Sequence, residues 1–396
     1  MLRRPPYILP LIVISQFAGT SLWFAGNAIL PEIQKELHLQ ENALSNITSV
    51  VQLGFLSGTL VFAILSVADR FQPSRVFFVS SMLAALANLF IAWFAKDAFL
   101  LLSLRFITGF FLAGIYPVGM KIAADWYEKG LGEALGYLVG ALVLGTAFPH
   151  LLKGGSYELP WKQVLYVTSG VAYVGGLLIL LFVPVGPFRK RAAAFHPRAV
   201  FDIFSSKEFR AAAGGYFGHM WELYTLWAFV PALLMMHQQL SGAHYDISLW
   251  SFSIIAMGSL SCVAGGMLSQ KIGSAKVACY SLLVSGICCL VYPLLMQAGA
   301  ALFLFFMVIW GIAVIADSPQ YSALVAQTAP HQNRGTALTF VTCIGFAITI
   351  ASIQLLGILF RQYNSHLVFL LLAPGPIFGL RVLYRLIKPG QKKIET

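Results

Sequence analysis

Twelve apolar runs of about 20 residues each, separated by short polar breaks, dominate the chain. They lie near residues 8 to 30, 44 to 68, 76 to 95, 98 to 124, 133 to 152, 162 to 184, 211 to 236, 248 to 270, 277 to 297, 301 to 325, 336 to 360 and 366 to 386. A helix of that length, rising about 1.5 Å per residue, crosses the ~30 Å hydrocarbon layer of a bilayer. The pattern therefore predicts an all-α integral membrane protein with twelve transmembrane helices. The first run exceeds the short apolar region of a secretory signal and has no small-residue cleavage site after it, so it reads as span one.

Composition agrees with the pattern. Of 396 residues, 58% are hydrophobic and 10% charged, against about 25% charged in soluble domains. An ordinary soluble domain and a disordered chain are both excluded. The five cysteines, Cys262, Cys279, Cys288, Cys289 and Cys343, sit in apolar runs. Their spacing fits neither a zinc site nor a secreted disulfide framework, so they read as small hydrophobes.

The net charge of +11 is explained by where the charges fall. Nineteen of the 26 Lys and Arg flank loops on the face that holds the N-terminus, hereafter the basic face. Five lie on the opposite face, and Arg105 and Lys121 fall within span four. The positive-inside rule makes the basic face cytoplasmic, with both termini on it, in a plasma membrane or a bacterial inner membrane. Anionic membrane lipids are its expected neighbours, and no nucleic-acid partner is expected.

The longest basic segment, residues 185–210, divides spans one to six (1–184) from spans seven to twelve (211–396). The two halves repeat. Phe17 and Pro31 match Phe217 and Pro231 at an offset of 200, and Asp69-Arg70 matches Gln270-Lys271 at 201. Gly109 and Pro117 match Gly311 and Pro319 at 202, and Gly132, Ala134 and Leu135 match Gly335, Ala337 and Leu338 at 203. With six spans per repeat both halves start on the same side, so the repeats are parallel about an axis along the membrane normal.

On these residues the chain resembles the major facilitator superfamily over nearly its whole length. That resemblance implies two six-helix bundles that rock around a central site. The loop after span two resembles the superfamily's motif A. Its first copy keeps Asp69, Arg70 and Arg75 but has Leu65 for the leading glycine; the second keeps Gly266, Lys271, Gly273 and Lys276 but has Gln270 for the aspartate. By resemblance Asp69 caps the eleventh helix, where a carboxylate suits the helix N-terminus. Arg75 and Asp125 complete a charge network that holds the bundles together on the cytoplasmic side. The alternative is a set of solvated charges that only fix topology.

Span four, from Arg105 through Gly109, Ala113, Gly114 and Pro117, resembles motif B and the anion-transporting branches, with Thr108 in place of the motif's glutamine. Span five has Gly140, Gly145, Pro149 and His150 but not the Gly-Pro ending of the drug exporters' motif C, which weighs against drug export. His150 suits an aromatic-belt position as well as a ligand role.

Charged residues inside spans are functional candidates because the bilayer penalises them. Arg105 is read as binding an anionic group with its planar fork of donors, or as perturbing a proton-carrying carboxylate. Its structural alternative is an ion pair or backbone-carbonyl contact that anchors span four. Glu222 in span seven and Asp317 in span ten are the proton-coupling candidates, since a buried acid can hold a proton and release it when the cavity opens to the other side. Glu222 is preferred because span seven corresponds to span one, which lines the cavity in this superfamily; a hydrogen-bonded structural acid is the alternative for each. Gln16, Trp23 and Asn27 on span one, with His219, Tyr224 and Trp227 on span seven, are the remaining substrate-binding candidates, weighed against plain packing.

Met220, His219 and Cys262 would suit Cu(I), although methionine is a common packing residue. The chain has no His-Glu-x-x-His run and no P-loop, so it reads as neither a metal-dependent hydrolase nor an ATP-driven pump. No cofactor or resident metal is expected. The reading is a secondary active transporter of a small solute, coupled to H⁺, with a small organic anion as substrate and a monomer as the working unit. The alternatives are a proton-driven drug or metabolite exporter, a copper transporter and a nontransporting sensor.

Overall fold

The computed structural model describes residues 5–127, 130–156, 158–189 and 199–387. Of the basic-face residues, Arg3, Arg4, Lys129, Lys190, Arg191, Arg198, Lys388, Lys392 and Lys393 lie outside these. Among the described residues every regular element is a helix.

Ten helices are long and apolar enough to cross a membrane. They are span two (Ala43–Ile64), three (Pro73–Phe94), four (Ala98–Trp126), five (Leu131–Lys153), six (Trp161–Phe182), eight (Ile247–Ile272), nine (Ser274–Leu295), ten (Ala300–Thr328), eleven (Arg334–Tyr363) and twelve (His366–Leu386). Span seven, Lys207–Ser241, is unbroken over 35 residues but buries His219, Glu222 and Thr225, which lowers its apolar character. These complete twelve spans in two parallel six-helix repeats once span one is added.

Span one departs from the continuous helix that its apolar run predicts. It consists of Ile8–Thr20, Ala25–Ala28 and Leu30–Glu36, with a turn at residues 21–24. Thr20 and Ser21 direct their hydroxyls onto the carbonyls of Gln16 (2.8 Å) and Ala18 (2.7 Å), a back-bonding that bends helices. Spans four and ten also break, at residues 113–115 and at Asp317. Each restarts with a proline in its first turn, Pro117 and Pro319, where the missing N–H costs nothing.

Glycines set the closest helix approaches, as expected where lipid offers no hydrophobic drive to association. Gly109 of span four lies against the Val51 carbonyl of span two, and the matching Gly311 of span ten lies against the Ile254 carbonyl of span eight. The motif B glycine is therefore a packing residue in both repeats.

The two halves meet chiefly through spans five with eight and two with eleven. A Cβ on Gly136 would lie 3.2 Å from the Cys262 oxygen, one on Gly140 would lie 2.9 Å from the Ser259 oxygen, and one on Gly154 would lie 2.8 Å from the Leu249 nitrogen. Spans five and eight thus touch from the basic face to the opposite face. Spans two and eleven meet from mid-membrane, with Cys343 beside the Leu56 carbonyl, to the opposite face, where Gln354 lies on Ser45, Asn46 and Ser49.

Candidate transport site

Where the broken span one faces span seven, aromatic rings from both halves fill the interface. The Trp23 indole stacks on Tyr224 (centroids 5.7 Å apart, 24° between planes) and on Phe346 (5.9 Å, 25°). Phe55 of span two meets Phe346 at 4.5 Å, and Phe24 meets Tyr224 at 6.4 Å and Trp227 at 6.3 Å. All six rings are buried. The sequence singled out Trp23, Tyr224 and Trp227; Phe24, Phe55 and Phe346 carried no signal beyond being apolar.

Arg105 sits directly behind this cluster, fully buried. Its guanidinium donates to the Leu22 carbonyl at 3.0 Å, to the Trp23 carbonyl, and weakly to Asn88 Oδ1 at 3.5 Å. The break in span one frees those two carbonyls, and an arginine from span four takes them up. Among the described residues no carboxylate lies within ion-pair distance of Arg105. Its Nε–H has no acceptor, nor have the buried Gln52 Nε2 and Trp227 Nε1 donors. Each buried donor left unpaired costs about 1–3 kcal/mol, so this turn is short of acceptors and of negative charge.

Gln52 holds the Trp23 indole N–H at 3.1 Å, and Asn27 donates to Thr48 at 2.7 Å while its Oδ1 stays unpartnered. Gln16 lies against Gly119 of span four with both amide atoms unpartnered. Gln52 and Asn88 were missed in the sequence; a lone amide inside an apolar run was the available signal.

The second half carries the acids. Ser285 (2.5 Å), Trp310 (2.7 Å) and Cys289 (3.1 Å) all donate to Glu222 Oε1, and Oε2 has no partner. All three donors belong to spans nine and ten. Glu222 lies two residues, roughly 200° of helix, from Tyr224, so it faces its own bundle rather than the interface. Asp317 lies at the break of span ten, 2.9 Å from Nδ1 of His219. His219 is thus beside an acid and not against the aromatic cluster; its Nε2 is unpartnered.

The repeat relates the two polar clusters. Spans three and nine each have 22 residues, and in register Asn88 falls on Cys289. The offsets of 200 and 202 carry Leu22 onto Glu222 and Thr108 onto Trp310. The position behind the first helix of each half therefore holds a cation in one bundle and an acid in the other.

On the basic face Asp69 pairs with Lys121, and Arg189 donates to the carbonyls of Asp69 (3.2 Å) and Phe71 (2.9 Å). Lys121, Arg189 and Asp69 are the charges around Asp125. Arg70 and Arg75 are exposed and make no ion pair among the described residues. Among the described residues the cations of this network are Lys121 and Arg189, and Arg75, which the resemblance implied, makes no ion pair. In the second copy Lys271 is exposed, Gly273 takes φ 89°, which only glycine adopts freely, and Gly266 packs on Gly136 of span five. His150 is buried with Nε2 unpartnered, so it is not at a lipid-facing belt position.

Known proteins match this arrangement. A solved structure of the human organic anion transporter MFSD10 (TETRAN) superposes with a TM-score of 0.76, over 96% of this chain and 100% of that chain, at 15% identity, which is a likeness of fold. The uncharacterized MFS-type transporter YybF of Bacillus subtilis is 25% identical over 170 residues, 42% of this chain and 41% of its own. An uncharacterized transporter, C757.13, of Schizosaccharomyces pombe is 23% identical over 284 residues, 67% of this chain and 51% of its own. The D-galactonate transporter of Escherichia coli O6:H1 is 30% identical over 112 residues, 28% of this chain and 26% of its own. The chain thus spans between 26% and 51% of the length of these curated relatives. The family model of the Major Facilitator Superfamily matches residues 12–351 and, a second time, 212–396, and the chain belongs to that superfamily of membrane transporters.

Proposed function

We propose that the chain is a proton-coupled secondary transporter of a small organic anion, working by alternating access. In this reading it acts as a monomer in the plasma membrane, with the basic face and both termini cytoplasmic. Residues 1–184 and 211–396 are the moving bundles and 185–210 tethers them. The observation that carries the anion is Arg105: a buried guanidinium with, among the described residues, no carboxylate partner and an unpaired N–H beside the interface between bundles. Two similar proteins, an organic anion transporter and a D-galactonate transporter, point the same way. Asp317, beside His219, is the proton-carrying group, and Glu222 is the buried acid weighed against it. Asp69 with Lys121, both of the first bundle, orders the loop after span two on the cytoplasmic side.

The test is uptake of labelled organic anions into proteoliposomes with and without an imposed inward proton gradient. Saturable uptake that the gradient accelerates, and that falls at least about tenfold in Arg105→Ala while the protein stays folded, is the expected result. Uptake indifferent to the gradient sinks the coupling, and anion flux unchanged in Arg105→Ala sinks the site.

The carbonyls of Leu22 and Trp23 on Arg105 favour a second reading. There the guanidinium only anchors the broken helix, and the cargo is a neutral or cationic amphipathic molecule exported against protons. Substrate-dependent proton flux with such molecules, retained in Arg105→Lys, would select it.

A further inference from the structure

We infer that the transported anion carries a planar aromatic ring, held between Trp23 of the first bundle and Tyr224 and Phe346 of the second. This rests on the anion reading above and narrows it.

Two observations carry the inference independently. The first is geometric. Among the ring contacts that cross between the bundles, the two made by Trp23 are near-parallel stacks, at 24° and 25° between planes, while those of Phe24 and Phe55 are tilted or edge-on. When the bundles part to admit a solute, these stacks are the contacts that separate. The opening gap is then faced by the flat side of an indole on one wall and by a phenol and a phenyl ring on the other. A flat ring sliding in replaces the lost stacking, and a puckered or hydroxylated body does not. Trp23 is also fixed before any ligand arrives, through its indole N–H on Gln52 and its carbonyl on Arg105. A platform held in place loses little freedom on binding.

The second observation is the balance of donors and acceptors. Arg105 Nε, Gln52 Nε2 and Trp227 Nε1 are buried donors without acceptors around this turn, whereas Asn27 Oδ1 is the acceptor left over on it. An aromatic carboxylate brings acceptors and no further donors, which matches the surplus. A sugar acid brings several hydroxyl donors, more than the acceptors left over here, Asn27 Oδ1 and Gln16 Oε1, can take.

The experiment compares three anions of the same charge on the full-length purified protein: benzoate, cyclohexanecarboxylate and gluconate. Binding is read by calorimetry and transport by competition in proteoliposome counterflow. Benzoate is expected to bind about tenfold more tightly than either competitor, the size of one good stacking contact. Trp23→Leu should erase the preference over cyclohexanecarboxylate and Trp23→Phe should restore it, with melting and gel filtration as folding controls. Tyr224→Leu provides the same readout from the second bundle. Gluconate binding at least as well as benzoate overturns the inference and leaves the anion reading standing. So does an aromatic preference that survives both leucine variants. If none of the three anions binds or competes, both fall together.

Discussion

Asp317 and Glu222 occupy the interior of the same bundle, but only Asp317 has a base beside it. Nδ1 of His219 lies 2.9 Å away and its Nε2 is unpartnered, so in the proposed coupling His219 is the base that would receive the Asp317 proton. Glu222 instead receives three donors on one oxygen. A glutamine there keeps an acceptor for all three, so Glu222→Gln should fold well and keep most gradient-driven uptake. Asp317→Asn should lose accumulation driven by a proton gradient while keeping counterflow, which needs no net proton movement. Measuring both modes on both variants decides the matter: loss of gradient drive in Glu222→Gln alone would return coupling to Glu222. Preference for Glu222 in the sequence rested on which helix it occupies. The geometry turns it behind that helix.

At the scale of helices, the spans five and eight contact is backbone against backbone. A side chain at Gly140 meets the Ser259 carbonyl at 2.9 Å, and that carbonyl cannot rotate away. Gly140→Leu should therefore force the two spans apart, lowering stability by about 1–3 kcal/mol and abolishing transport. Gly132→Ala, with nothing within 4 Å, should change neither. A fall in melting temperature for the first and none for the second checks this.

The spans themselves were legible in the sequence because an apolar run is a local signal. The restarts of spans four and ten at Pro117 and Pro319 were not read from it, although prolines in first turns and the caps of Asp97 and Asp246 on Leu100 and Leu249 (2.8 Å) have local causes. The break in span one was not legible. Ser21-Leu22-Trp23-Phe24 is as apolar as a continuing helix, and what takes up its free carbonyls is an arginine 83 and 82 positions away. Positions such as Gln52, Asn88 and Phe346 joined the site for the same reason: packing between distant segments put them there, and no local pattern records it.

For the molecule as a whole, the two ends of the bundle interface differ in chemistry. On the basic-face side, spans five and eight touch through Gly136, Gly266 and the Cys262 carbonyl, while spans two and eleven meet nearer mid-membrane at Cys343. At the opposite face, beside the close approach of Gly154 to the Leu249 backbone, hydrogen bonds join the halves: Gln354 Nε2 to Ser49 Oγ (2.9 Å), Ser45 O (3.2 Å) and Asn46 Oδ1 (3.3 Å), and the Gly155 N–H to Asp246 Oδ2 (2.6 Å). Water can replace such bonds, so each contributes only about 0.5–1.5 kcal/mol net, and opening to this face costs little more than breaking them. One amide shared among three acceptors makes Gln354 the main polar link between spans two and eleven. Gln354→Ala should shift the population toward the state open at that face by roughly 5–30-fold, the ratio that about 1–2 kcal/mol supports. Ser45 reports the change, because its side chain is buried at this seam while only its carbonyl bonds Gln354. With the five native cysteines replaced by alanine, Ser45→Cys should react several-fold faster with an impermeant maleimide when Gln354 is alanine, and a transported anion should slow it again by closing the bundles. Equal rates in the two backgrounds would mean that the glycine seam of spans five and eight holds this end closed without help from the amide.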